Sequence, residues 1–182
     1  MKRIGRLSQV LFLAGGLLLA GCPSGSNQMR EPAPSGEDRE AAGRPVKIDQ
    51  LLEAPTQLRL GNLTLHLEAY LWRDFQPVSP PSGQPLRVSV KIVARPQPEK
   101  PLSSWLKAQR VYLVYGPQHQ TWEADLNPSG SAQIPPGVLE AFASGGPLWE
   151  PGGKVEVIVR LQDQEGHSYL LRAPQQVIQK TY

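Results

Sequence analysis

The residues able to do chemistry are few and scattered, beginning with Cys22, the only cysteine in a chain of 182 residues. It closes an apolar run, Val10 to Ala20, and follows directly on the small pair Ala20-Gly21. A lone thiol can attack, bind a metal or carry a covalent group, and no disulfide within the chain is open to it. The histidines His66, His119 and His167 stand far apart, and no His-x-His or His-x-x-x-His spacing puts two imidazoles on one face of an element. His66 and Glu68 lie two apart in an alternating run and could share an ion, but such a pair reads as ordinary surface neighbours. No metal is expected. Neither a Gly-x-Ser-x-Gly elbow, a glycine-rich phosphate loop nor a dinucleotide fingerprint occurs, so the expectation is a protein that is not an enzyme and carries no cofactor.

Aromatic residues are the remaining candidates. Trp72, Trp105, Trp122 and Trp149 stand with Tyr70, Tyr112, Tyr115 and Tyr169 in the part of the chain beyond residue 45. Trp and Tyr suit places where one edge of a ring is apolar and the other wet. Trp105 and Trp149 sit in proline-rich crossovers and read as plugs for the ends of a core. Tyr70 and Trp72 share an alternating face with Thr64, His66 and Glu68, opposite a leucine-rich face. His66, Glu68, Tyr70 and Trp72 are therefore the candidate binding residues.

The segment that positions Cys22 has the order of a secretory signal. Lys2, Arg3 and Arg6 precede the apolar run, which at about eleven residues is too short for the roughly 20 of a membrane-spanning helix. Leu19-Ala20-Gly21-Cys22 resembles the lipobox of bacterial lipoproteins. The resemblance implies a signal peptide over residues 1–21, cleavage before Cys22, and acyl chains such as palmitate on that residue. Two or three chains hold a protein stably, since each buried methylene contributes about 0.8 kcal/mol. It implies a membrane as partner and a place in the cell envelope, at the outer face of the cytoplasmic membrane or at the outer membrane. Pro23 is not the aspartate that marks inner-membrane retention. The alternative is a plain secretion signal with Cys22 a bystander, against which the small residues before the cysteine argue.

Loss of residues 1–21 would remove three of the 19 cations and none of the 16 acids, leaving 16 of each. A neutral chain offers no electrostatic argument for a nucleic-acid partner. Residues 22–45 then hold Pro, Gly, Ser and charged residues with Met29 as the one large apolar side chain, and read as a disordered linker. Residues 46–182 are the size of one domain.

In that domain the periodicity is two. Val46 to Leu52 fits a short strand or a helical turn. Leu58 and Leu60, then Gly61-Asn62, then Leu63, Leu65, Leu67, Ala69 and Leu71 read as a tight hairpin with Thr64 to Trp72 on the opposite face. Leu86 to Ala94 alternates and stops at Pro96. Residues 97–109 read as a crossover with a helical turn at Ser103 to Lys107 and Trp105 folded inward. Val111 to Tyr115 is apolar on both faces, Thr121 to Leu126 returns, and Asn127 to Gly130 reads as a turn. A helical turn is expected at Val138 to Phe142. Val155, Val157, Val159 and Leu161 alternate strongly, with a turn at Asp163 to Gly166 and closing strands around Tyr169, Leu171 and Val177 or Ile178.

About seven short strands with no helix long enough for a parallel crossover define an all-β chain, a single antiparallel β-sandwich. The pattern over residues 57 to 180 resembles immunoglobulin-like or fibronectin type III-like domains of bacterial envelope proteins. A jelly roll or small barrel is the alternative. Two functions fit. One is a non-catalytic, membrane-tethered module that binds an envelope protein or helps assemble a complex. The other is a carbohydrate- or cell-wall-binding module whose exposed aromatics stack on glycan.

Overall fold

The structure, a computed structural model, describes residues 46–130 and 134–182. The expected signal peptide, Cys22 and the linker up to residue 45 lie outside the described residues. One short helix, α1 (Ile48–Leu52), opens the described chain. The strands that follow are β1 (Gln57–Leu60), β2 (Leu63–Asp74), β3 (Leu86–Arg95), β4 (Leu106–Tyr115), β5 (Gln120–Asp125) and β6 (Asn127–Pro128). Then come β7 (Val138–Gly146), β8 (Lys154–Asp163), β9 (Ser168–Arg172), β10 (Gln176–Val177) and β11 (Gln179–Thr181).

They form two sheets packed face to face. The first runs β1-β2-β3-β7-β6, with β11 also on β2, and the second runs β10-β8-β4-β5, with β9 also on β8. The run β2-β3-β7-β6 facing β9-β8-β4-β5 is the strand order of an immunoglobulin-like sandwich, a topology that the alternation left open. Every pairing is antiparallel except that of β11 with β2. That exception arises where the C-terminal chain leaves β8, buries Ile178 between the layers and joins the first sheet. The opposite edge is closed likewise: β5 passes through buried Leu126, whose amide donates to the Gln109 carbonyl at 2.8 Å, into β6 of the other sheet.

The core follows from alternation. Leu65, Leu67 and Leu71 of β2, Val88, Val90 and Ile92 of β3, and Val155, Val157, Val159 and Leu161 of β8 meet between the sheets. The Gly61-Asn62 hairpin forms as read, with Gly61 at φ 59° supplying the positive angle that such a two-residue turn needs. Trp149 stacks on Tyr115 with ring centroids 4.7 Å apart, and Trp105 packs against the core, so both act as end plugs.

The outside of the second sheet is covered too. Tyr112, Val114 and Ile158 point away from the main core and are buried under Leu51 and Ala54, with Val46, Leu52 and Leu170 around them. This second small core explains why β4 is apolar on both faces. It also leaves Ile158, on the face opposite Val157 and Val159, fully buried.

Several local expectations are corrected. Val138 to Phe142 is the first half of β7, not a helical turn: Leu139, Ala141 and Ala143 face the core while Glu140 and Phe142 face out, a period of two blurred by the small alanines. The crossover is shorter than expected, because β4 begins at Leu106. A bulge between Ala108 and Arg110 breaks its alternation and hides its first half. The turn at Ser103 to Lys107 is one 3-10 turn, Leu102–Ser104, which Trp105 ends. Asn127 and Pro128 pair with β7 instead of forming a plain turn. Of the two readings for Val46 to Leu52, the helix is the one realised.

Candidate recognition surface

The outside of the first sheet has no covering layer among the described residues. Register across β1, β2, β3 and β7 places its outward side chains in rows. One row is Gln57, His66, Val93 and Val138; the next is Glu68, Lys91 and Glu140. Beyond these lie Tyr70, Ser89 and Phe142, and then Trp72 beside Arg87. None of these side chains is buried, so the four candidate residues read from the sequence share one open face with Thr64.

Tyr70 is 49% exposed and Phe142 45%, with the small Ser89 between them on β3. Tyr70 also stacks on Trp72, with centroids 5.3 Å apart and planes at 29°. The two rings therefore cover a face of each other. They do not lie side by side as one flat platform. Among the described residues, Glu68, Lys91 and Glu140 take part in no ion pair, although opposite charges alternate along their row. A partly exposed aromatic pair beside charges that form no ion pair among the described residues has the composition of a binding hot spot with a polar rim.

A residue not singled out in the sequence organises the end of this face. Arg73 continues the inward alternation of β2 and is 2% exposed, the one buried charged side chain among the described residues. Its Nε donates to the Gln84 carbonyl at 3.0 Å, Nη1 to those of Leu148 and Trp149 at 3.2 and 3.1 Å, and Nη2 to that of Ser82. Among the described residues no carboxylate pairs with it. The planar fork instead ties the β2–β3 and β7–β8 connections together through carbonyls that would otherwise lack partners. Phe75 caps the group, its ring 5.1 Å from the guanidinium carbon on one side and 4.6 Å from Lys180 Nζ. Gly83, at φ 74°, passes under that ring where a Cβ would come within 2.6 Å, so only glycine fits.

The second cluster, Asp163, Glu165 and His167, lies in the β8–β9 turn, and its donor atoms fall within 4.8 Å of one another. Its spacing of two, continued by Tyr169, is legible in the sequence but contains neither a His-x-His nor a His-x-x-x-His pair. Asp163 Oδ1 accepts the amides of Glu165 and His167, both at 2.9 Å. Its Oδ2 accepts the Tyr169 hydroxyl at 2.9 Å and lies 3.1 Å from His167 Nδ1. Since an ionised carboxylate only accepts, Nδ1 carries the proton. Burial alone would raise the Asp163 carboxyl, but the hydrogen bonds from Tyr169 and His167 outweigh it and hold the group below its ordinary range. Burial, then the bond to Asp163, pushes the Tyr169 hydroxyl up to about 12. Both carboxylate oxygens are thus engaged in shaping the turn. His119 is remote from this cluster, in the β4–β5 turn with φ 50°, and the structure brings no two histidines together at it.

The sequence matches no protein-family model and no curated protein. Among solved structures the chain is similar to the putative ApaA protein from Bordetella pertussis, at 13% identity and a TM-score of 0.37, over 70% of this chain and 97% of that one. It is also similar to a copper-bound variant of FetP from uropathogenic Escherichia coli, at 13% identity and a TM-score of 0.36, over 66% of this chain and 95% of that one.

Proposed function

We propose that the protein is a non-catalytic lipoprotein of the cell envelope, tethered through Cys22, whose sandwich binds another protein through the outside of its first sheet. The observation that carries the reading is the open face bearing Tyr70 on Trp72 beside the row Glu68, Lys91 and Glu140, which forms no ion pair among the described residues. Its placement supports the same reading. The described chain begins at Val46 beside α1, on the outside of the second sheet, so the aromatic face lies on the opposite side of the sandwich from Val46. The mutual stacking of the two rings favours a protein over a glycan, because a sugar ring uses an aromatic face that lies open and flat.

The test is Tyr70→Ala and Trp72→Ala in the full chain. Thermal melting is measured beside recovery of proteins from cross-linked envelopes and retention on peptidoglycan. Loss of specific protein partners at little-changed melting temperature supports the reading. Retention on peptidoglycan that depends on these rings overturns it in favour of a glycan-binding module.

A further inference from the structure

We propose that a free stretch of the β2 edge, between β1 and β11, accepts an extended peptide segment of a partner protein as an added strand. The inference rests on reading the domain as a protein-binding module and says how its partner would be held.

β2 is 12 residues long, but its outer edge is only partly used. β1 covers it up to His66, opposite Gln57, and β11 covers it from Trp72, opposite Gln179. Between these points Leu67 to Leu71 have β3 on one side and, among the described residues, no strand on the other. The direction of their main-chain groups follows from the ladder. The Ala94 amide donates to the Gly137 carbonyl at 2.8 Å, away from β2. Its partner Leu65 therefore belongs to a pair that exchanges no hydrogen bonds, and turns its own groups to the outer edge. With a period of two, so do Leu67, Ala69 and Leu71. The far end agrees, since the Phe75 amide donates to the Thr181 carbonyl of β11 at 2.8 Å. The Leu67 carbonyl, both groups of Ala69 and the Leu71 amide thus face the gap, with no strand residue opposite among the described residues. Two acceptors and two donors at strand spacing complement one extended segment of about four residues.

The gap is held open from both sides. Before β1, the Pro55 carbonyl takes the Arg172 amide at 2.9 Å, and before β11 the Ile178 amide donates to the Gly153 carbonyl at 3.0 Å. Both flanking chains are thereby drawn away from β2, toward the second sheet. A groove of about 500 Å³ opens at the β1 end, between Thr56, Gln57 and Pro174 on the edge side and His66, Glu68 and Arg95 on the sheet side. Among the described residues neither Glu68 nor Arg95 is in an ion pair. The complementary segment carries a cationic side chain toward Glu68.

The experiment selects short linear peptides displayed on phage against the immobilised full chain, and follows the best binder by amide hydrogen exchange. Exchange at Ala69 and Leu71 should slow at least about tenfold on binding, which corresponds to about 1.4 kcal/mol. Ala69→Pro, which removes an edge donor where proline is tolerated, should weaken binding by at least about tenfold, while Ala69→Val keeps it. If Ala69→Pro fails to fold, the exchange measurement on the unaltered chain decides alone. Selection of no peptide, or of peptides that leave the Ala69 and Leu71 amides unprotected, overturns the inference. Binding that is lost in Tyr70→Ala but kept in Ala69→Pro overturns it too, and leaves the protein-binding reading standing on the aromatic face.

Discussion

Nη1 of Arg73 lies 3.1 Å from the carbonyl oxygen of Trp149, 76 positions further along the chain. Through this bond and three others the guanidinium fastens two proline-containing connections that have no ladder of their own. Arg73→Ala removes the donors to four carbonyls, of which that of Trp149 is buried and the others are partly buried, and each group orphaned out of reach of water costs about 1–3 kcal/mol. The expected loss is on the order of 3 kcal/mol or more by denaturant melting. Arg73→Lys restores only part of it, because an ammonium cannot span the same fork of acceptors. A variant as stable as the parent contradicts the role assigned to the arginine.

Leu71 and Tyr70 are neighbours in sequence on opposite faces of β2, and the fold values them differently. Leu71 is buried between the sheets, and Leu71→Ala should cost about 2–5 kcal/mol. Tyr70 is half exposed, and Tyr70→Ala should cost less than about 1 kcal/mol, apart from its stacking on Trp72. Equal losses in chemical denaturation would mean that the outer face is covered after all.

The β8–β9 turn predicts pH limits of stability. Asp163 is held below its ordinary value in the fold, so its contribution is present above the unfolded value near 3.9 and is lost as pH falls through the folded one. Tyr169, raised to about 12, contributes fully below about 10 and loses that contribution as pH rises through 12. Asp163→Asn should flatten the acid limb of a denaturation midpoint measured against pH. It should also let Tyr169 ionise nearer its ordinary value, as read by tyrosinate absorbance. An acid limb unchanged by the substitution counts against this assignment.

Cys22→Ser should abolish incorporation of labelled fatty acid and send the protein to the soluble fraction or leave it uncleaved. The sole cysteine after a short apolar run motivates the expectation. Label retained by the serine variant would refute the tether.

Alternation is a local property, and it was legible wherever large apolar residues repeat every second position. Leu63 to Leu71, Leu86 to Ala94 and Val155 to Leu161 read directly as strands with a defined inner face, and that face is the one buried. The four candidate residues were legible as one face for the same reason. β7 was not, since Ala141 and Ala143 contribute too little apolar contrast, and neither was the first half of β4, where a bulge shifts the period. What tertiary structure alone decided is which outer face stays open. Tyr70 on β2 and Tyr112 on β4 both alternate with core residues, yet Tyr112 is buried under Leu51 and Ala54 while Tyr70 meets solvent. The difference depends on where a helix some 60 positions from Tyr112 comes to rest. Arg73 teaches the same point: in sequence it is a charge at a strand end, and only folding gathers the four carbonyls that make its burial stable. A strand's own residues set the direction of each side chain, but burial depends on what the rest of the chain brings against it.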